Sequence, residues 1–274
     1  MPQLTPLKIK SFKKEGRKIV TLTAYDYPSA KILDTAGIDI LLVGDSVGNT
    51  VQGKTTTLPV TLEEMIYHTE MVARAAQNAL VVADFPFPYC QLGAGEAVRA
   101  GSRILKETLA GAVKFEGGEK RAETIAALTE AGIPVLAHCG LCPQEIKQSG
   151  GFFVQRESER EQLFRDLRAV ESAGAFAVVL ECVEEELAKE ATQLVSIPTI
   201  GIGSGVHCDG QVLVFHDVFG YTPVPGKPLK HAKRYSDLNA ILTIAAQCYA
   251  QDVRNGEFPD DAHSFKGAAK KTAE

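Results

Sequence analysis

Apolar, β-branched runs and amphipathic runs alternate along nearly the whole chain. Eight apolar runs read as strands: Ile19–Ala24, Asp39–Gly44, Leu80–Asp84, Ala112–Glu116, Pro134–His138, Phe176–Glu181, Pro198–Gly203 and Gln211–His216. Short runs without polar alternation suit strands buried on both faces of a parallel sheet. Between them the pattern turns helical. Asp26 before Tyr27-Pro28 marks a helix start, and Thr61 with Glu64 forms a capping box. Helices are also predicted near Gly95–Leu109, Glu119–Ala131, Glu159–Ala173 and Glu184–Leu194. Gly37, Gly132 and Gly174 stand where helices should stop. Two stretches, Ser46–Pro59 and Gly140–Ser158, read as longer loops.

Eight strand–helix units predict an α/β fold, a (β/α)8 TIM barrel. A doubly wound open sheet is the alternative, but no G-x-G-x-x-G follows the first strand. The whole of 1–274 reads as a single barrel domain, with the barrel at about 19–220 and a C-terminal extension at 221–274. That extension holds a Pro-rich stretch, a helical tail near Ser236–Asn255 and a frayed end at Lys266–Glu274.

Composition narrows the function classes. The 274 residues are 45% hydrophobic and 23% charged, ordinary for a chain that builds one core. A net charge of −5 argues against a nucleic-acid partner, which needs a basic face. The first residues, MPQLTPLKIKSFKKEGRK, are basic but lack the apolar centre of a secretory signal. No apolar stretch nears the roughly 20 residues that span a bilayer. The expectation is therefore no membrane partner and a cytoplasmic location. Cys90, Cys139, Cys142, Cys182, Cys208 and Cys248 read as free thiols.

The chemistry lies where the apolar runs stop. Four end on a carboxylate: Asp45, Asp84, Glu116 and Glu181. Barrel enzymes place their active sites at this carboxyl-terminal rim. Asp45, Asp84 and Glu116 end strands two, three and four, and neighbouring strands lie about 4.8 Å apart. Three acids in so small a volume call for a cation, and Mg²⁺ with its oxygen ligands fits; singly, each acid could equally cap a helix or pair on the rim. Ser46 offers a hydroxyl and an N–H to a substrate carboxylate, or simply makes a turn. Lys114 shares a strand face with Glu116; its negative partner is either a substrate carboxylate or one of the acids. Glu181, across the barrel and apart from the metal, is the candidate general base with a raised pKa. His138 either orients substrate or is a satisfied core histidine.

Two further motifs are weak. Cys139-Gly140-Leu141-Cys142 is a C-x-x-C standing alone, whereas structural zinc wants a second pair and redox chemistry a thioredoxin-like setting. Gly201-Ile202-Gly203-Ser204-Gly205 lies where barrels bind phosphate, but close backbone approach explains it equally well.

The segments TLTAYDYPSAK, LLVGDSVGNTVQG, TLPVTLEEMIYHT, ADFPF, VKFEGG, GGFFVQ, VLECV, IPTIGIGSG, DGQVLVFHDVFG and AHSF resemble, in order, the ketopantoate hydroxymethyltransferase family. The family is similar to the phosphoenolpyruvate-binding barrels that include isocitrate lyase. The resemblance implies transfer of a one-carbon unit from 5,10-methylenetetrahydrofolate onto 3-methyl-2-oxobutanoate, giving ketopantoate for pantothenate and coenzyme A synthesis. It also implies Mg²⁺ and a homodecamer. By resemblance Asp45, Asp84 and Glu116 hold the metal, Glu181 is the catalytic base, and Asp45, Ser46, Asp84, Lys114 and His138 contact substrate. One departure stands out. Where the family has H-L-G-L-T-P-Q, this chain has His138-Cys139-Gly140-Leu141-Cys142-Pro143-Gln144, so the C-x-x-C reads as incidental, with redox sensitivity of the thiols left open. Three rivals remain at this stage: a metal-dependent C–C lyase without folate, a Schiff-base aldolase using Lys114, and a non-catalytic oxo-acid sensor.

Overall fold

The computed structural model describes residues 3–151, 153–222 and 229–267. Its sheet consists of β1 (Ile19–Thr23), β2 (Ile40–Val43), β3 (Leu80–Asp84), β4 (Ala112–Glu116), β5 (Val135–Gly140), β6 (Ala177–Glu181), β7 (Thr199–Ile202) and β8 (Gly210–Leu213). The strands pair in parallel in chain order, and β8 returns to β1 to close the barrel. This is the (β/α)8 architecture expected from the alternation of patterns.

Local chemistry sets the helix starts. The Asp26 side chain accepts from Ser29 N–H at 2.8 Å and opens the helix Tyr27–Thr35. Thr61 and Glu64 cap each other reciprocally at the head of Leu62–Ala75. The helices Ala94–Glu107, Ala122–Glu130, Arg160–Ser172 and Glu185–Leu194 follow β3, β4, β5 and β6. Several boundaries shift from the sequence reading. The run Gln211–His216 leaves the sheet at Leu213, and His216 enters a short helix, Phe215–Phe219. The strand at Pro134–His138 instead runs on to Gly140, so His138 is not its last residue. Short helical segments break both long loops, at Val47–Thr50 and Ile146–Ser149. The tail helix spans Leu238–Asn255, started by the Asp237 side chain on Ala240 N–H. Phe152, the Pro-rich residues 223–228 and the extension from 268 onward lie outside the described residues.

Strand parity divides the barrel into two cores. Leu41, Val43, Val81, Ala83, Val113, Phe115, Val178 and Leu180 point outward and pack beneath the helices. Ile40, Leu42, Leu80, Val82, Ala112, Leu136, Val179 and Ile200 point inward. A helix that the pattern did not reveal, Pro6–Glu15, belongs to the inner core and brings Ile9 and Phe12, both fully buried. Its remaining residues are mostly polar or basic, which masks so short an apolar face. Asp84, Lys114, Glu116, His138 and Glu181 continue the inward parity past the aliphatic layer. The barrel interior is therefore apolar low down and ionic at the carboxyl-terminal mouth. No helix among the described residues is long and apolar enough to cross a membrane.

At the opposite end, Asp34 fastens the approach to β3. Its carboxylate accepts from the N–H groups of Gln77, Asn78 and Ala79 at 3.1, 2.9 and 2.8 Å, and from Asn78 Nδ2 at 3.0 Å. Burial pushes its carboxyl upward, but these donors outweigh burial and hold it below the usual range. Asp34→Ala should lower unfolding free energy by roughly 2–4 kcal/mol, read from urea midpoints. Because the folded-state pKa lies below the unfolded value of about 3.9, this contribution is full above that pH and fades as pH falls through the folded value. A wild-type-minus-variant difference that stays constant down to about pH 2 would contradict this account.

Candidate active site

Sheet register decides which mouth residues meet. Asp84 lies opposite Lys114 across β3 and β4, and Glu116 lies opposite His138 across β4 and β5. Gly140 lies opposite Glu181 across β5 and β6. Asp45 arrives from the turn after β2, where its own N–H lies 3.4 Å from Asp84 Oδ2. One ligand atom each from Asp45, Asp84 and Glu116 falls within 4.8 Å of the others, and all three residues are buried. Among the described residues this is the group able to hold a metal ion. Its donors are all oxygen, the set preferred by hard divalent cations.

Lys114 Nζ donates to both Asp84 oxygens at 2.8 and 2.7 Å and lies 3.4 Å from Glu116 Oε1. In the free protein its partners are thus the acids. The carboxylates raise the Lys114 pKa despite burial, so the ammonium is firmly charged. A Schiff-base nucleophile must be a neutral amine, which disfavours the aldolase reading. Burial, then the charges of Asp84 and Glu116, push Asp45 up to about 8. Burial acts on Glu116 too, but Lys114 and then His138 hold it down to about 2. Burial and the Glu116 charge raise the Asp84 carboxyl too, despite Lys114, so the cost of crowding falls on Asp45 and Asp84.

Glu181 does not stand apart from this group. His138 bridges it, with Nδ1 3.5 Å from Glu116 Oε1 and Nε2 3.2 Å from Glu181 Oε2. Neither ring nitrogen makes a well-directed hydrogen bond, so the contacts are chiefly electrostatic. Burial and Lys114 pull the His138 pKa down, but the two glutamates prevail and raise it to about 9. The three-plus-one division suggested by strand order becomes one connected network, because β5 stands between β4 and β6.

Several supporting residues escaped the sequence reading. Gln144 is buried; its Nε2 donates to Asp45 Oδ2 at 3.1 Å and Phe85 O at 2.7 Å, and its N–H donates to Glu116 Oε2 at 3.2 Å. The Pro-Gln that follows the C-x-x-C was its only trace. Tyr25 Oη lies 2.8 Å from Ser46 Oγ and fixes that hydroxyl beside Asp45. Ser204, fully buried, donates to Leu180 O at 2.8 Å and accepts from Val183 N–H at 3.1 Å. It clamps the turn that presents Glu181. Within that turn Cys182 sits at φ 53°, a left-handed conformation that a non-glycine residue adopts only when held there. Cys182 N–H donates to Ile202 O and Gln155 N–H to Cys182 O, at 2.9 and 2.8 Å. Gly140, at φ 96°, must be glycine because a Cβ would stand 2.4 Å from Glu181 O. In the GIGSG run, a Cβ on Gly201 would stand 3.0 Å from Cys208 Sγ and one on Gly205 2.4 Å from Glu185 Cγ, so these glycines serve close packing.

All six cysteines are free. Burial pushes the Cys139 and Cys142 thiols up, away from the reactive thiolate. The ionic mouth opens into a cavity of about 630 Å³ that also reaches Ser46, Asp217 and His231.

Comparison with known proteins identifies the family. A model of the family described as ketopantoate hydroxymethyltransferase matches residues 3–261. A protein of Rhodopirellula baltica named 3-methyl-2-oxobutanoate hydroxymethyltransferase is 50% identical, covering 96% of this chain and 97% of that one. One of the same name from Geobacter metallireducens is 49% identical over 95% and 98% of the two chains. The solved structure of 2,3-dimethylmalate lyase, a PEP mutase/isocitrate lyase superfamily member, superposes with a TM-score of 0.59 at 17% identity, covering 99% of this chain and 93% of that one. At that identity the likeness concerns the fold alone. The family match and the half-identical relatives extend from the N-terminal plug beyond the tail helix, and by them the chain belongs to the ketopantoate hydroxymethyltransferase family.

Proposed function

We propose that the chain transfers a hydroxymethyl group from 5,10-methylenetetrahydrofolate to 3-methyl-2-oxobutanoate, giving ketopantoate for pantothenate and coenzyme A synthesis. One observation carries the chemistry: three buried carboxylates face a single ammonium at the mouth, beside the His138–Glu181 pair. With the acids ionised around a metal, Asp45, Asp84, Glu116 and Glu181 bring four negative charges, and Lys114 and the His138 imidazolium bring two positive. The two left over match one divalent cation, and the oxygen donors favour Mg²⁺. When bound, Mg²⁺ supplies Lewis acidity that eases ionisation of the C–H beside the keto group.

The protein's own residues supply the rest. The Ser46 hydroxyl, held by Tyr25, and the Lys114 ammonium receive the substrate carboxylate; Asp45, Asp84 and His138 border it. Leu42, Val179, Ile202 and Val212 line the cavity nearby and enclose the isopropyl group. Glu181 removes the proton from the branched carbon, and His138 steadies the Glu181 carboxylate from the side away from solvent. The carbon so freed attacks the methylene carbon of the folate iminium and forms the new C–C bond. Water then displaces the folate nitrogen from that carbon, leaving a hydroxyl on the product and releasing tetrahydrofolate. A sensor would not require Glu181, and a lyase would not require folate.

The same reading treats 1–274 as one barrel domain with an extension from 221. The tail helix buries none of its residues and exposes Ile241, Ile244 and Tyr249, which supports a homo-oligomer, read as a decamer. Free thiols support a cytoplasmic location.

Glu181→Gln should lower turnover by roughly 10²–10⁴-fold while still binding Mg²⁺ and the oxo acid in calorimetry. Near-normal turnover would remove Glu181 as the base. Treatment with EDTA should abolish ketopantoate formation, with Mg²⁺ restoring it in wild type but poorly in Asp84→Ala; activity untouched by EDTA would sink the metal reading. Ser204→Ala should loosen the Glu181 turn and lower kcat by about tenfold to a hundredfold with little change in oxo-acid KM. An equal loss in both parameters would mean that Ser204 merely supports the fold.

A further inference from the structure

The cavity above the barrel has two unlike sides. Over β2 to β6 it is ionic. Over β7, β8 and the segment beyond, it is walled by Ile202, Leu213, Val214 and Leu229, with Asp217 and His231 among them. Asp217 belongs to the helix Phe215–Phe219 and is half-buried. Among the described residues, no hydrogen-bond donor or ion-pair partner reaches its carboxylate. His231 and Arg234 lie near enough to act on its charge, yet neither forms a salt bridge, and burial pushes its carboxyl up. An unpaired carboxylate in an apolar wall is costly unless a ligand completes it.

Size points the same way. About 630 Å³ falls in the range that encloses a drug-sized ligand, whereas a five-carbon oxo acid is far smaller. The ionic side, with Leu42, Val179, Ile202 and Val212 at its edge, accommodates that acid, so the wall formed by Leu213, Val214 and Leu229 is left for the second reactant. In methylenetetrahydrofolate the transferred carbon bridges N5 of the pterin and N10 of the aminobenzoyl arm, and it must come within about 3–3.5 Å of the oxo-acid carbon that attacks it, which brings the attached pterin into this cavity. The pyrimidine half of a reduced pterin is flat and largely apolar on its faces. Its far edge carries N3–H and the 2-amino group, two parallel donors that match the two oxygens of a carboxylate, as a guanidinium does.

We propose that Asp217 is the pterin anchor: its carboxylate accepts from N3–H and the 2-amino group while Leu213, Val214 and Leu229 cover the ring. This assignment rests on the hydroxymethyl-transfer reading. It gives Asp217 a binding role in the folate step and none in proton removal from the oxo acid.

The test separates those steps. Exchange of the branched-carbon proton of 3-methyl-2-oxobutanoate in D2O, followed by NMR with Mg²⁺ and no folate, reports proton removal alone. Ketopantoate formation reports the folate step. In Asp217→Ala and Asp217→Asn the KM for methylenetetrahydrofolate should rise at least tenfold, while proton exchange stays within twofold of wild type. A folate analogue with methyl in place of the 2-amino group should lose at least tenfold in kcat/KM with wild type. It should lose no more than twofold, relative to the natural folate, with Asp217→Ala. If both enzymes discriminate equally against the analogue, or if the variants keep a wild-type folate KM, Asp217 is not the anchor, although the transfer reading stands. If wild type exchanges the proton but makes no ketopantoate, the transfer reading itself fails.

Discussion

The mouth of this barrel is organised by one electrostatic constraint: three buried carboxylates held together by too little positive charge. Lys114 is the only ammonium among them, gripped by Asp84 and leaning on Glu116. Removing any of these groups from water is expensive, and the ion pairs repay only part of that cost. The remainder appears as raised carboxyl pKa values on Asp45 and Asp84. A stable fold does not call for such an arrangement, and an aliphatic layer like the one below would pack the same space more cheaply. The imbalance makes sense as a place kept for a divalent cation and an anionic substrate.

Holding that constraint requires a stiff frame. Parallel register sets Asp84 against Lys114 and Glu116 against His138, so backbone hydrogen bonds fix the spacing of the charges. Below them the inward aliphatic layer, plugged by Ile9 and Phe12, keeps water from the floor. Beside them Gln144 ties Asp45 to the β3 side, and Ser204 ties the Glu181 turn to β7. The strained Cys182 lies inside that tied turn. Local strain is tolerable where neighbouring hydrogen bonds over-determine the backbone.

Much of this was legible in the chain. Apolar runs ending in Asp45, Asp84, Glu116 and Glu181 announced both the barrel and its functional rim. The Thr61–Glu64 box and the Asp26 cap were readable because capping is local chemistry. The plug helix Pro6–Glu15 was not, because its apolar contribution is only two core side chains set among lysines. Gln144 and Ser204 were overlooked for a different reason: an uncharged polar residue in a loop carries no sign of what it will touch. His138 lay between, visible as a candidate but with its two carboxylate neighbours unknown.

The sequence by itself determined the order of the eight strands and the helices that alternate with them, pointed to a parallel barrel, and identified the acids at the rim, since periodicity and capping act over a few residues. The tertiary structure alone decided that Glu181 joins the other acids through His138, that Lys114 pairs with Asp84, and that Asp217 lines the cavity with no partner among the described residues. Those relations depend on register between strands and on how loops fold back over the mouth. Both are set by long-range packing and hydrogen bonding between segments far apart in the chain, which no local pattern encodes.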